Sequence, residues 1–211
     1  MEYMDEKIIE MMNNMQEEQN QNARKSRVNK IAQQDMQKTL IKIKGEIIPF
    51  EEKNLLENKV KIPLPKTFTI MSPEMASLKY PSERRPELIY TNETASINMA
   101  FSHTQNPLND TDMGAFKNSM VQILRQTQPL ARWFEEGIRN VNGKNIGFCE
   151  FLAPSFDANI YNLLFFVELE GRALLCIFNC VEEEMKSWKP IARGIMDSLK
   201  ITVDEKGDIR R

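Results

Sequence analysis

The 211-residue chain holds one histidine, three cysteines, eight glycines and two tryptophans, and each scarcity removes a class of chemistry. With His103 alone, nucleophilic catalysis by a Cys-His or Ser-His pair has a single base to draw on. Cys149, Cys176 and Cys180 are too few, and odd in number, for a disulfide framework; they fit the reduced thiols of a cytoplasmic protein. The glycines are too scattered for a phosphate-cradling loop, and H-E-x-x-H, G-x-S-x-G and C-x-x-C are all missing. No apolar run approaches the roughly 18 residues of a membrane span. The opening M-E-Y-M-D-E-K lacks the basic and then apolar regions of a secretory signal. A formal net charge of -2 provides no positive field for nucleic acid or anionic lipid. The expectation is a cytoplasmic protein without membrane span, nucleic-acid partner, cofactor, metal or catalytic set. What is present, 41% hydrophobic and 27% charged residues, is enough to bury an ordinary core.

The chain divides by composition into an arm (1-38), a folded domain (39-203) and a charged tail (204-211). The first forty residues contain 6 of the 13 methionines and neither Gly nor Pro. Met4, Ile8, Met11, Met12 and Met15 recur at helical spacing on one face. Residues 1 to 20 carry six acids against Lys7, whereas residues 21 to 38 carry Arg24, Lys25, Arg27, Lys30 and Lys38 against Asp35. Acid at the start and base at the end complement a helix dipole, which predicts an amphipathic helical arm, or a partly disordered one, suited to self-association or to a protein partner.

From Thr39 alternation takes over. I-K-I-K-G-E-I-I-P-F reads as one strand and N-K-V-K-I-P-L-P as a second that its prolines end, with E-E-K-N-L-L-E-N as the connection. Ser72-Pro73 opens a short helix through M-A-S-L-K-Y. A hairpin turning at Asn92-Glu93 sets Ile97, Met99 and Phe101 on one face. Asn109 or Asp110 caps a helix to about Gln128, carrying Met113, Phe116, Met120, Ile123 and Leu124, and Pro129 stops it. Asn142-Gly143 turns a hairpin whose strands include Trp133 and Phe148, and Glu170-Gly171 turns another. The last helix is expected to be capped by Ser187 with Pro190 in its first turn; Trp188, Ile191, Ile195 and Leu199 form its stripe.

L-L-F-F-V and A-L-L-C-I-F, on the two sides of Gly171, are apolar on both faces, and a strand without a wet face must be covered twice. This predicts an α/β (α+β) domain: a central, mostly antiparallel sheet of about six or seven strands with helices on both faces. The element order, closing with W-K-P-I-A-R-G-I-M-D-S-L-K-I after the L-L-C-I-F-N-C strand, resembles the PsbP-like fold over about residues 40-203. That fold is shared by the photosystem protein PsbP, DcrB lipoproteins and a Ran-binding nuclear import factor. The resemblance implies a binding or assembly protein with no catalytic set to carry over, and Eag-type chaperones of secreted effectors are among the similar proteins.

Cys176 and Cys180 suggest a reactive pair until strand geometry is applied. Four residues of strand span about 13 Å, beyond the roughly 7 Å Cα separation of a disulfide, so both read as core residues, with Cys180 left as a candidate accessible thiol at the strand end. His103 reads as a loop histidine following a strand. Glu182, Glu183 and Glu184 read as a solvated helix entrance rather than a cation site. One of Trp133 and Phe134 must face each side of its strand. Arg84 and Arg85, in a Pro-flanked loop, join Met4, Ile8, Met11, Met12 and Met15 as candidate partner-binding residues. The leading functional expectation is a non-enzymatic interaction module, an adaptor or chaperone-like protein for a client that could be secreted. The alternative is a small-ligand carrier or enzyme using a pocket between sheet and helices.

Overall fold

The computed structural model describes residues 40–82 and 85–202. The predicted N-terminal helical arm, with Met4, Ile8, Met11, Met12 and Met15, lies outside the described residues, as do Arg84 and the tail.

The chain runs β1 (Leu40–Ile43), β2 (Glu46–Leu55), β3 (Val60–Pro65), β4 (Thr69–Ile70), α1 (Pro73–Lys79), β5 (Leu88–Thr91), β6 (Ile97–Pro107), α2 (Met113–Thr127), β7 (Arg132–Val141), β8 (Lys144–Pro154), β9 (Asn159–Leu169), β10 (Arg172–Val181), α3 (Glu182–Asp197) and β11 (Lys200–Ile201). Every strand pair is antiparallel. They build two sheets rather than the one expected: seven strands in the order β4-β5-β6-β10-β9-β8-β7, and four in the order β1-β2-β3-β11. The sheet of seven is the one that the doubly apolar stretches demanded.

Its two faces are covered differently. Ala153, Phe151, Leu164, Phe166 and Cys149 pack with Met113 and Val121 of α2 on one side. Phe148, Phe165, Leu163, Cys176 and Phe178 pack on the other, where Trp188, Ile191 and Ile195 of α3 share their core with Val60, Ile62 and Leu64 of the second sheet. The short α1 adds Ala76 against Ile89 and Ala100. A helix and a sheet together thus cover the face that was expected to receive helices alone.

The differences from expectation have local causes. The first predicted strand is a hairpin, because Lys44 (φ 49°) and Gly45 (φ 91°) both take left-handed backbone and reverse the chain. Of the expected connection, Glu51 to Leu55 are strand, pairing with Leu64 to Val60, and only Leu56 to Asn58 remain as the turn, all three in left-handed backbone. Pro63 lies inside β3 and Pro65 is its last residue, so the strand runs through the first proline and ends at the second. Lys66 N–H donates to Pro49 of β2, and the Lys59 carbonyl accepts from Thr202 on the opposite side. By alternation, both proline nitrogens therefore point away from β2, where β11 reaches only Val60 and Lys61 and no donor is required. Asp110 does not cap α2 by a side-chain bond but sits in a 3-10 turn, its carboxylate accepting from Asn145 N–H (2.8 Å) and Asn145 Nδ2 (2.7 Å) at the β7–β8 turn. The last helix starts five residues before Ser187. Val181 is its N-cap, Glu182, Glu183 and Glu184 its first turn, and Pro190 its interior, so the Lys186 carbonyl lacks the usual donor. Ser72 caps α1 as expected, accepting from Met75 N–H at 3.3 Å. The turns at Asn142-Gly143 and Glu170-Gly171 both use left-handed backbone at each residue. None of the described helices is long and apolar enough to cross a membrane.

Close approach of α2 to the sheet depends on Gly147. A Cβ there would stand 2.9 Å from Met113 Sδ and 3.0 Å from Lys117 Cβ. Gly147→Ala is expected to lower stability by about 1–3 kcal/mol through overpacking, measured as a shift in the urea midpoint; an unchanged midpoint would show that α2 does not pack this tightly.

Candidate functional site

The densest polar cluster lies between α3 and the sheet. It depends on a β-bulge. Between Trp133 and Glu135 the β7–β8 register slips, so residues on either side of the slip can face α3 or α2 out of strict alternation. Trp133 turns to the α2 side, its ring 4.8 Å from that of Phe151, with the Arg125 guanidinium 4.2 Å above it. Phe134 lies on the α3 side with its ring 6.3 Å from Tyr161, and Glu135 follows it, reaching Arg193 at 2.6 Å. The expectation that Trp133 and Phe134 face opposite ways holds, and the bulge brings a carboxylate to the α3 side as well.

At the centre is Glu150, wholly buried on β8. Its Oε1 accepts from Arg193 Nε, and its Oε2 forms an ion pair with Lys189 Nζ at 2.8 Å, without the alignment of a hydrogen bond. The Lys189 ammonium also sits 4.2 Å over the Phe134 ring and 5.7 Å from that of Tyr161. One helical turn further on, Asp197 takes a two-pronged bond from Arg139 Nη1, at 2.9 and 3.2 Å. Lys189, Arg193 and Asp197 recur every four residues, so one stripe of α3 meets Glu150, Glu135 and Arg139 on the strands. Burial alone would lower the pKa of Arg193, but its bond to Glu150 and the charges of Glu150 and Glu135 hold it above the usual value. The Tyr161 hydroxyl is buried with no aligned hydrogen bond, and burial followed by the charge of Glu150 pushes its pKa far up. Three anions facing three cations neutralise one another here; the cluster clamps α3 to the sheet and leaves no unbalanced charge for a substrate.

A second internal network is neutral. Thr91 Oγ1 donates to Asn98 (2.7 Å), Asn98 Nδ2 to Asn179 (2.8 Å), and Asn179 Nδ2 to the Tyr80 hydroxyl (3.1 Å), tying β5, β6 and β10 to the end of α1. Asn118, Val121, Gln122, Arg125 and Gln126 of α2 and Glu136 of β7 line an open groove of about 370 Å³ where the helix meets the edge strand. It opens to solvent at the margin between α2 and the sheet, beside the buried Val121.

The cysteines sit in the core as strand geometry required. Cys176 and Cys180 share one face of β10, and all three thiols are buried and free. Burial pushes Cys149 and Cys180 up to about 12, and Cys176 upward as well, so Cys180 is not the accessible thiol that its place at a strand end allowed. His103 is within β6 rather than in a loop: Nε2 donates to the Leu169 carbonyl (3.0 Å) and Nδ1 accepts from Arg172 Nη2 (3.3 Å), so both ring nitrogens have partners within the fold. Glu182 and Glu184 bind Asn159 and Lys44, each at 2.7 Å, as acids at a helix entrance. Arg85 is half-buried, its guanidinium bonded to Ser77 Oγ on α1 and to the Ser82 carbonyl. Among the described residues no group of His, Cys, Asp or Glu could hold a metal ion.

The outer surface offers what the interior does not. In the seven-stranded sheet β7 is a terminal strand, ten residues long, hydrogen-bonded only to β8 among the described strands. The bulge and its charged residues blunt the first half of that edge; from Glu135 to Val141 the pairing is regular. Ile138 is exposed there, and Leu130 and Phe156 (80% and 101% exposed) stand on the loops at the start of β7 and the end of β8, close in register because Arg132 pairs with Leu152. Sequence reading missed Glu150, Tyr161, Lys189, Arg193 and this edge. The four-residue polar repeat 189-193-197 was a visible signal for the clamp; nothing in F-C-E-F-L marked Glu150 as its partner.

No protein-family model and no curated protein matches the chain. Solved structures do. The solution structure of cyanobacterial PsbP (CyanoP) from Synechocystis superposes with a TM-score of 0.56 at 10% identity, covering 74% of this chain and 95% of that one. A crystal structure from Bacteroides thetaiotaomicron superposes at 0.50 and 9% identity, covering 74% of this chain and 50% of that one. At such identities the likeness is one of fold.

Two outcomes are expected from the interior. Glu150→Gln leaves Lys189 and Arg193 facing a neutral amide and should cost about 3–5 kcal/mol, with Glu150→Leu/Arg193→Met recovering part of the loss; a urea midpoint close to wild type for Glu150→Gln would show that the clamp is not holding α3. The native protein should resist thiol labelling at pH 8 at all three cysteines and react at all three once unfolded. Because the fold holds protons that an unfolded chain releases near pH 8.5, the stability contributed by Cys149 and Cys180 is complete below that pH and is lost as the pH rises toward about 12. A stability curve flat across that range would contradict the burial of the thiols.

Proposed function

We propose, from the PsbP-like fold, that this chain is a non-enzymatic protein-interaction module, an adaptor or chaperone-like protein that receives an extended segment of its partner along β7. The observation carrying this reading is the β7 edge, which no other described strand besides β8 pairs, with Leu130, Ile138 and Phe156 exposed around it. An added strand would gain main-chain hydrogen bonds from the regular half of the edge, while the apolar side chains supply contact area and selectivity. Phe156 gives an aromatic anchor of the kind that dominates binding energy. The bulge and the acidic and basic residues of β7 keep like edges from pairing indiscriminately. The polar clusters support the same reading, because Glu150, Arg193, Lys189 and His103 have structural partners. A client that presents an unpaired apolar strand, as a protein awaiting export or assembly does, fits such an edge.

Leu130→Asp/Phe156→Asp should leave the melting temperature within about two degrees, since surface changes are nearly neutral, and should reduce recovery of the co-purifying partner at least tenfold by quantitative mass spectrometry. Full recovery by the folded double variant would remove this face from the interaction.

A further inference from the structure

Alternate residues of β7 offer their main chain to an incoming strand. Val141 and Lys144 flank the two-residue Asn142-Gly143 turn and close it as a hydrogen-bonded pair, so Val141, Arg139, Gly137 and Glu135 direct N–H and C=O to β8. Glu136, Ile138 and Asn140 direct theirs outward, and all three are exposed. Their side chains lie on the α2 side. Glu136 opposes Cys149, which packs in the α2 core, and Ile138 opposes Gly147, against which Met113 and Lys117 stand. Directly opposed residues of an antiparallel pair share a face. A residue hydrogen-bonded opposite Glu136 or Ile138 therefore points its own side chain toward α2.

Opposite Glu136 that side chain meets the groove. Asn118, Val121, Gln122 and Arg125 recur at spacings of three and four, sharing the flank of α2 beside Glu136. An added strand lies about 4.8 Å beyond β7, where the groove opens. Its lining selects against charge of either sign. Glu136 accepts from Lys117 Nζ (3.3 Å) and Arg125 Nη2 (3.4 Å). An incoming carboxylate would stand directly across from Glu136, and an incoming ammonium or guanidinium beside Arg125; like charges so placed repel. An apolar side chain would cover Asn118 and Gln122, whose carboxamides have no hydrogen-bond partner among the described residues, and leave them unpaired. A carboxamide avoids all three penalties, because it is neutral and both donates and accepts. Opposite Ile138, which is 46% exposed, an aliphatic residue gains apolar contact instead.

We propose, resting on the reading of β7 as the place where a partner's strand adds, that the incoming segment carries an aliphatic residue opposite Ile138 and, two positions later, an asparagine or glutamine opposite Glu136 whose amide pairs with Gln122 and Asn118. The segment runs antiparallel to β7, the sense of every described pair in this sheet, and this direction sets the order of the two residues. Much of the selectivity comes from what the groove repels.

The full-length protein is panned against a phage-displayed library of random peptides, and the binders are sorted by whether Ile138→Pro abolishes their binding. Ile138 N–H points outward, so proline there takes a donor from the incoming strand and none from the β7–β8 ladder. Synthesised binders are sorted a second way, with no change to the protein. N-methylation at the aliphatic residue, whose N–H faces Ile138, should abolish binding, and at the next residue, whose N–H faces away, should not. Among edge-dependent binders, Asn or Gln should be enriched about fivefold two positions after the aliphatic residue, with Asp, Glu, Lys and Arg depleted. Changing that amide residue to Leu should weaken binding about fivefold to the wild-type protein and under about twofold to Asn118→Ala/Gln122→Ala, whose positions are exposed. Edge-dependent binders with no amide preference, or a Leu penalty undiminished in the double variant, would overturn this inference and leave the β7 reading standing. A library yielding no edge-dependent binder would overturn both.

Discussion

Leu163, Phe165 and Val167 of β9 face one side of the large sheet, Leu164 and Phe166 the other, and all five are buried. A strand apolar on both faces cannot lie at a surface, and the architecture follows from covering it twice. On one side α2 comes close enough that Gly147 must lack a side chain. On the other α3 leaves part of the sheet bare, and the four-stranded sheet fills the remainder with Val60, Ile62 and Leu64. Phe68 and Phe178 both stack on Trp188, at 5.8 and 6.0 Å, and join the two sheets through the helix between them.

The polar groups inside this core are tolerable because they are compensated locally. Glu150 lies fully buried within an apolar strand, which is costly for a carboxylate unless cations accompany it. Arg193 and Lys189 do so from a single helix stripe, and the β7 bulge adds Glu135 to balance them. The neutral ladder from Thr91 to Tyr80 meets the same requirement by hydrogen bonding. With its interior charges balanced in this way, the sheet is bounded among the described strands by the long β7 at one end and the two-residue β4 at the other.

Much of the fold was legible in residue order. Asn142-Gly143 and Glu170-Gly171 announced their hairpins because a two-residue reversal needs left-handed backbone, and Ser72-Pro73 announced its helix because its chemistry is local. The misread places all had local patterns overruled by distant partners. Pro63 looked like a stop, yet stands inside β3, which ends only at Pro65, because its nitrogen faces a side without a ladder. Ser187 looked like a cap, but Val181 passes directly from strand to helix. His103 looked solvated, although Leu169 and Arg172, over sixty residues away, hold both its nitrogens.

By itself the sequence determined that one sheet must be buried on both faces, that the cysteines would be packing residues, and that no familiar catalytic motif is present, because periodicity, strand spacing and motif spacing are properties of neighbours along the chain. Only the tertiary structure decided that the second cover is a sheet as well as a helix, that Glu150 has two cations, and which strands form the edges. Those facts depend on elements distant in sequence meeting in space, and a linear pattern does not encode which of several compatible partners will be adjacent.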